Sequence, residues 1–440
     1  MDAETTAEAA LKRLGLDAVN LIAASGRPVE EFRGVALFSS QRDEQFQSLA
    51  TFPAAREAVE VLPEASVQYA VEEANRLVLQ FIYALVRHPG CMAEPEVAVD
   101  DIWQSFREEA AIPFWTFGTV ANLEFFELED SGAGFIAASG LESDAVSLGN
   151  GVLVVGRSTL NLMPLGCDEH IMERLFEDCS GVGVSSFVIV AQTSQEKSPE
   201  NLILSGDGQA QLAAIRAVLA MRLVAGGHVG TGHMYLMRPA LFNVGIGGVT
   251  RSGWPRPPVY GPRYTLTPAL IEPIVRLSGQ LQALESTPST GPGNLPLALR
   301  YFSESYERRS PTDAVVDLVT ALEAVLGTET EISYRLSTRV AHLLASTEDE
   351  RVHLFRTTKL WYDLRSAVVH GSPLKLKHQS LLADPEPLRQ IVRRLLRGFI
   401  ELAMRNDSPY GKQFFAEELE STLLSESKRA LLQSAMRLNE

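Results

Sequence analysis

The sequence predicts an α+β protein, with a mixed N-terminal region followed by an all-helical bundle. Three observations carry this. The hydrophobic period switches from helical to alternating near Phe114 and returns to helical for good after residue 297. A Pro/Gly/Ser/Thr-rich segment, Ser286 to Pro296, separates the two regions as a linker would. Charge divides at the same place: from Leu299 to Glu440 there are 20 basic and 20 acidic residues, so the whole net charge of −16 lies before it. The expected organisation is an acidic region over 1–285, itself long enough for two subdomains, a linker over 286–296 and a helical domain over 297–440.

Taken in chain order, Ala7 to Ser25 reads as an amphipathic helix interrupted by Gly15, and a second helix follows Pro63 and ends near Arg87 before Pro89-Gly90. In the second, Val67, Ala70, Val71, Ala74, Leu77, Val78 and Phe81 recur at spacings of three and four. Phe114 to Leu128 is aromatic and β-branched, and Ser131-Gly132-Ala133-Gly134 suggests a hairpin with Gly134 to Ala138. Further strands are expected at Gly151–Val155, Ser186–Gln192, Asn201–Leu204, Met234–Val244 and Tyr260–Leu266. Short and long helices are expected at Asp168–Cys179 and Gly208–Leu223, the latter closed by Ala225-Gly226-Gly227, residues suited to a left-handed cap. Helix Pro268–Leu284 could sit on either side of the boundary. Beyond the linker, helices are expected at Leu297–Arg308, Thr312–Leu326, Tyr334–Leu344, Glu348–Val369, Glu386–Arg405 and Gln413–Leu438. No β-α-β rhythm and no internal repeat is present.

Several function classes are weakened at once. Three scattered cysteines, Cys91, Cys167 and Cys179, fit a reducing cytosol. The acidic start lacks a signal peptide's basic region, and the longest apolar run, Leu77 to Val86, falls far short of the ~20 residues of a membrane span. A soluble, cytoplasmic protein without membrane partners is the expectation. Gly206-Asp207-Gly208 before a helix imitates a dinucleotide loop, but Gln211 stands where the third glycine belongs. His228 and His233 match no zinc spacing, so neither metal nor cofactor is expected.

The sharper signal is Tyr362-Asp363-Leu364-Arg365-Ser366-Ala367-Val368-Val369-His370-Gly371 at the end of a predicted helix. Five residues turn about 500° around a helix, so Arg365 and His370 would project roughly 140° apart. Gly371 and Pro373 place His370 at the helix end, where its direction can differ and where the helix dipole favours a cation. From spacing alone the segment reads first as a capping histidine after an arginine paired with an acid such as Asp363 or Glu323.

The surroundings add context. Arg300-Tyr301-Phe302 and Tyr306-Glu307-Arg308 open the first helix, and Asp313 and Asp317 precede an apolar helix with an embedded Glu323. Glu331 to Leu336 and Arg339-Val340-Ala341 then lead to the Arg365/His370 segment. In this order, over residues 297–440, the chain resembles the Apea-like branch of the HEPN superfamily. The resemblance implies a metal-independent endoribonuclease of the prokaryotic antiviral or toxin class. Arg365 and His370 would form a composite site across a homodimer, with the RNA 2′-hydroxyl as nucleophile. Glu323 would orient Arg365 by a charge-assisted hydrogen bond. Ser366 departs from the Asn, Asp or His that many active members carry after the arginine.

Arg389, Arg393, Arg394 and Arg397 follow at spacings of four, one and three, a basic stripe suited to RNA phosphates, or else a solvated face or one ion-paired with the acidic N-terminal region. That acidic region, with a ligand or protein trigger unassigned, would act as sensor or shield. The competing reading is a non-catalytic HEPN dimerisation or signalling scaffold. A small-molecule enzyme in the N-terminal region has no motif behind it.

Overall fold

A computed structural model describes residues 3–33, 40–61, 72–111, 114–128, 145–156, 184–196, 204–237, 250–252, 262–286, 294–327, 331–404 and 419–438. It is an α+β fold with a small antiparallel sheet and a helical C-terminal region. Most buried apolar side chains of the described residues fall into two clusters, one from Ala7 to Phe106 and one from Ala121 to Met436, while Val120, Val155, Val188, Val190 and Tyr235 are buried on the other sheet face outside both.

The first cluster is all helical: α1 (Ala3–Ser25), α2 (Glu30–Arg33), α3 (Ser40–Gln47), α4 (Phe52–Glu60), α5 (Glu72–Arg87) and α6 (Pro95–Ala111). Gly15 does not interrupt α1. A Cβ there would stand 3.0 Å from both Leu85 and Val99, so the missing side chain lets α5 and α6 press against the helix. The second predicted helix is described from Glu72, and residues 62–71 lie outside the described set.

The sheet contains β1 (Phe114–Glu124), β3 (Ala145–Ser147), β4 (Val152–Gly156), β5 (Val184–Glu196), β6 (Gly230–Met237) and β7 (Thr250–Ser252), in the order β3-β4-β5-β1-β6-β7. Among the described residues its strand pairings are all antiparallel. One cross-strand row, Val154, Ile189, Ala121 and Met234, faces the core. Alternation along each strand puts these side chains on the same side. Helix α7 (Leu204–Val224) covers that side with Met221 and with Ala213, Ala214 and Ala217, small residues that permit close approach.

The Phe114–Leu128 run is split at Phe125, which has φ 56°, into β1 and β2 (Phe126–Leu128). β2 pairs in parallel with β8 (Tyr264–Leu266), and the hairpin partner proposed at 134–138 lies outside the described residues. Leu204 opens α7 instead of closing a strand, so Gly206-Asp207-Gly208 is helical and forms no phosphate loop. The glycines after α7 do not close it with a left-handed cap: Gly226 is not at positive φ, and Gly227, three residues past the helix, has φ +107°, where a Cβ would meet Arg263 O at 2.8 Å. Residues 168–179 lie outside the described set.

The C-terminal helices are α8 (Pro268–Ser286), α9 (Leu295–Glu304), α10 (Pro311–Leu326), α11 (Ile332–Leu344), α12 (Glu348–Val369), α13 (Leu376–Leu382) and α14 (Glu386–Ala403), followed by a helical turn over 419–424 and α15 (Glu426–Ala435). The expected single helix from Gln413 breaks at Ser425, whose hydroxyl caps α15 by accepting from Lys428 N. α14 packs against α7, α8, α9, α10 and α11. The apolar core therefore runs from sheet to bundle without dividing at 286–296, because α7 and α8 lie on both. Arg222 of α7 reinforces the joint: it donates to Ser303 Oγ at 2.8 Å and pairs with Glu307. Among the described residues no helix is long and apolar enough to cross a membrane.

Candidate active site

Helix α12 is built with strong ends. Thr347 Oγ1 accepts from Glu350 N at 3.2 Å, and Glu350 reaches back to accept from Ser346 N at 2.7 Å. Glu348, Asp349 and Glu350 complement the positive end of the dipole. At the other end Gly371 adopts φ +65°, Gly371 N donates to Val368 O at 3.1 Å, and Ser372 N donates to Ala367 O at 2.8 Å. This is the Schellman arrangement, with His370 as C-cap.

His370 is exposed, and its N–H still donates to Ser366 O at 3.0 Å, so the backbone follows the helix to that residue. At this C-cap position φ is −90° and ψ 4°, so the helical conformation itself ends at Val369. Within one chain Arg365 and His370 project roughly 140° apart.

Arg365 does meet Glu323. Its Nη2 donates to Oε2 at 2.9 Å, with side-chain exposures of 23% and 19%. Glu323 lies in the last turn of α10, and burial raises its carboxyl above the usual carboxylate range while Arg365 opposes the shift. Tyr362, one turn before Arg365, has its phenol raised by burial and then by the Glu323 charge. Arg365 is thus oriented by a carboxylate and lies beside a phenol, on the helix that ends in an exposed imidazole. Chemically the set offers a fixed cation and a proton-transfer group.

No protein-family model matches the sequence, and no curated protein or solved structure matches it.

The arginine stripe is corrected by the structure. Arg389 and Arg393 are buried at 1% and 6% relative exposure. Arg389 donates to Ser305 O at 3.0 Å, and its guanidinium lies 4.7 Å from the Tyr306 ring centroid. Arg393 donates to Arg222 O at 2.8 Å, to Tyr306 Oη at 3.0 Å and to Glu386 at 3.1 Å. Both are consumed inside the protein, because α14 is enclosed by neighbouring helices whose terminal carbonyls need donors. Arg394 donates to Leu344 O at 3.2 Å, and half-buried Arg397 lines a surface cavity together with it. The four do not form one exposed, phosphate-facing row.

Two features escaped the sequence reading. His378 of α13 is buried in the segment after His370 and accepts from Lys375 N at Nδ1. His228 is buried against Phe125 and Tyr306, and neither ring nitrogen has a hydrogen-bond partner. Burial, then Arg222 and Arg389, lower its pKa to about 3. Neither feature has a local motif, since each depends on a neighbour's position in space. Among the described residues no group of three or more His, Cys, Asp or Glu could hold a metal ion. Cys167, Cys179 and the His233 side chain lie outside what is described.

Proposed function

We propose that the C-terminal helical region is a HEPN-type, metal-independent endoribonuclease of the antiviral or toxin-like class, acting in the cytoplasm as a homodimer. The observation that carries the reading is Arg365, held at 2.9 Å by Glu323, on the helix that presents exposed His370 at its Gly371 cap. Because the two project apart within a chain, the composite centre pairs Arg365 of one copy with His370 of another. Val369, 52% exposed beside His370, supplies apolar area for such a contact.

In this reading His370 accepts the proton of the RNA 2′-hydroxyl as its oxygen bonds to the adjacent phosphorus. The 5′-oxygen leaves and is protonated, giving a 2′,3′-cyclic phosphate and a free 5′-hydroxyl. Arg365 neutralises charge developing on the phosphate, and Glu323 keeps its guanidinium aimed. The acidic N-terminal region is the sensor for a ligand or protein trigger.

The test incubates purified protein with mixed RNA beside His370→Ala and Arg365→Gln, each checked by a melting curve. Cyclic-phosphate ends from the parent and none from folded variants support the reading. Equal RNA integrity in all three under activating conditions sinks it. A second reading, a non-catalytic dimerisation or signalling scaffold, is favoured by the internal use of Arg389 and Arg393 and by the intrachain pairing of Arg365. It expects His370→Ala to leave the biological phenotype intact.

A further inference from the structure

Helix α12 buries one side in the bundle through Leu354, Thr358, Trp361 and Leu364. At 100° per residue, Glu348, Asp349, Phe355, Arg356 and Lys359 all point within about 60° of Val352, on the side away from that burial. Val352 is 44% exposed. Half-buried Phe355 continues the apolar area onto α11, where Tyr334 is 59% exposed and packs edge-on against it at 5.8 Å between ring centroids. The four charged side chains of this face are exposed and make no hydrogen bond or ion pair among the described residues. Arg335, close by on α11, is already paired with Glu331 and Glu420.

The order of these residues along the helix tells what they fit. Acids precede the apolar centre and bases follow it. Positions 348 and 359, 349 and 356, and 352 and 355 share a midpoint near residue 353. A two-fold axis through that point, perpendicular to α12, lays a second α12 antiparallel on the first. Glu348 then faces Lys359 of the second copy, Asp349 faces Arg356, and Val352 meets Phe355, with each contact made twice. Two acids and two bases leave the face neutral, so it has no net charge with which to attract a polyanion.

We propose that this face of α12 docks a second copy of the chain in an antiparallel, two-fold contact. An apolar centre ringed by complementary charges has the anatomy of a specific interface. The contact does not rest on the nuclease reading and is not the one that reading needs. At 1.5 Å per residue, Arg365 lies about 18 Å from the axis along α12, and the second copy's His370 about 26 Å from it in the opposite direction. Some 40 Å therefore separates them, roughly twice the reach that two side chains could span. A contact that joins Arg365 to His370 uses another surface, and a chain making both assembles beyond two copies.

Sedimentation of the full chain across a concentration series, at low and at high salt, tests this, with melting curves to confirm that each variant folds. The expected result is self-association that weakens with salt and weakens about 10-fold or more in Lys359→Glu and in Glu348→Lys. Combining Glu348→Lys with Lys359→Glu exchanges the charges but keeps the pairing, so association returns. Val352→Asp, at an exposed position, weakens it in the same direction and decides the matter if a charge reversal does not fold. His370→Ala leaves this contact unchanged, which separates it from the nuclease reading. A parent that stays monomeric leaves the face to a different protein and overturns the proposal. Association indifferent to the single reversals, or a double reversal as weak as either single one, overturns it too.

Discussion

His228→Phe makes the joint between sheet and bundle insensitive to acid. In the native protein the ring is packed between Phe125 and Tyr306 with Arg222 and Arg389 nearby. Its pKa is lowered from 6.5 to about 3, with burial the larger cause. A histidine with a depressed folded pKa binds protons in the unfolded chain first. Stability is therefore full above about 6.5 and is lost as pH falls through the window from 6.5 to about 3. Each pH unit inside the window costs up to about 1.4 kcal/mol, so moving from pH 7 to pH 5 removes about 2 kcal/mol through this group.

Phenylalanine keeps the aromatic contacts, removes a buried polar ring without partners and does not titrate. Melting curves of both proteins at half-unit steps from pH 7.5 to 5 measure the difference between their slopes. His342, lowered by burial, contributes with the same sign as His228, while Asp317 and Glu323, raised by burial, contribute with the opposite sign. All three are present in both proteins and cancel in the comparison. His228→Phe is expected to equal or exceed the parent at pH 7 and to lead by about 2 kcal/mol at pH 5. Parallel curves would refute the burial argument.

Arg393→Met strips donors from Arg222 O, Tyr306 Oη and Glu386, and is expected to cost about 3–5 kcal/mol in denaturant titration. Arg365→Met, at a partly exposed pair, should cost only about 1–2 kcal/mol in the same assay. Gly227→Ala pushes a methyl against the Arg263 carbonyl at a left-handed φ and should lower stability by about 1–3 kcal/mol, read from the melting temperature. Under the proposed ribonuclease reading, Glu323→Gln weakens the charge-assisted hold on Arg365 and slows RNA cleavage about 10-fold while the melt moves little.

The legible parts of this fold were local. Helix Glu348–Val369 has the expected boundaries because Thr347 and Gly371 punctuate it within a few residues of its ends. The Glu323 to Arg365 contact was one of two pairings the sequence offered, Asp363 being the other acid, and the fold selects Glu323. Sheet pairing was not legible. β1 lies between β5 and β6, more than 60 residues downstream at its first pairing, and alternation names a strand without naming its neighbours. Ser286 to Pro296 looked like a boundary because composition marks a turn, whereas cohesion is set by what α7 and α8 touch. The buried His228 was invisible for the same reason.

The arginines were misread for a deeper physical reason. A helix C-terminus presents unpaired carbonyls carrying about half a negative charge, so to a guanidinium it resembles a phosphate. Five arginines of the helical region serve such ends. Arg389 donates to Ser305 O, Arg393 to Arg222 O, Arg394 to Leu344 O, Arg339 to Leu326 O and Arg429 to Ala345 O. Spacing along one helix cannot separate these two uses; only the position of neighbouring helix ends can. The count of 20 basic against 20 acidic residues after Leu299 therefore overstates the positive charge that a ligand meets, since part of it is turned inward against backbone. Among the described residues of the bundle four arginines and one acid are buried, so recognition of a polyanion must be local.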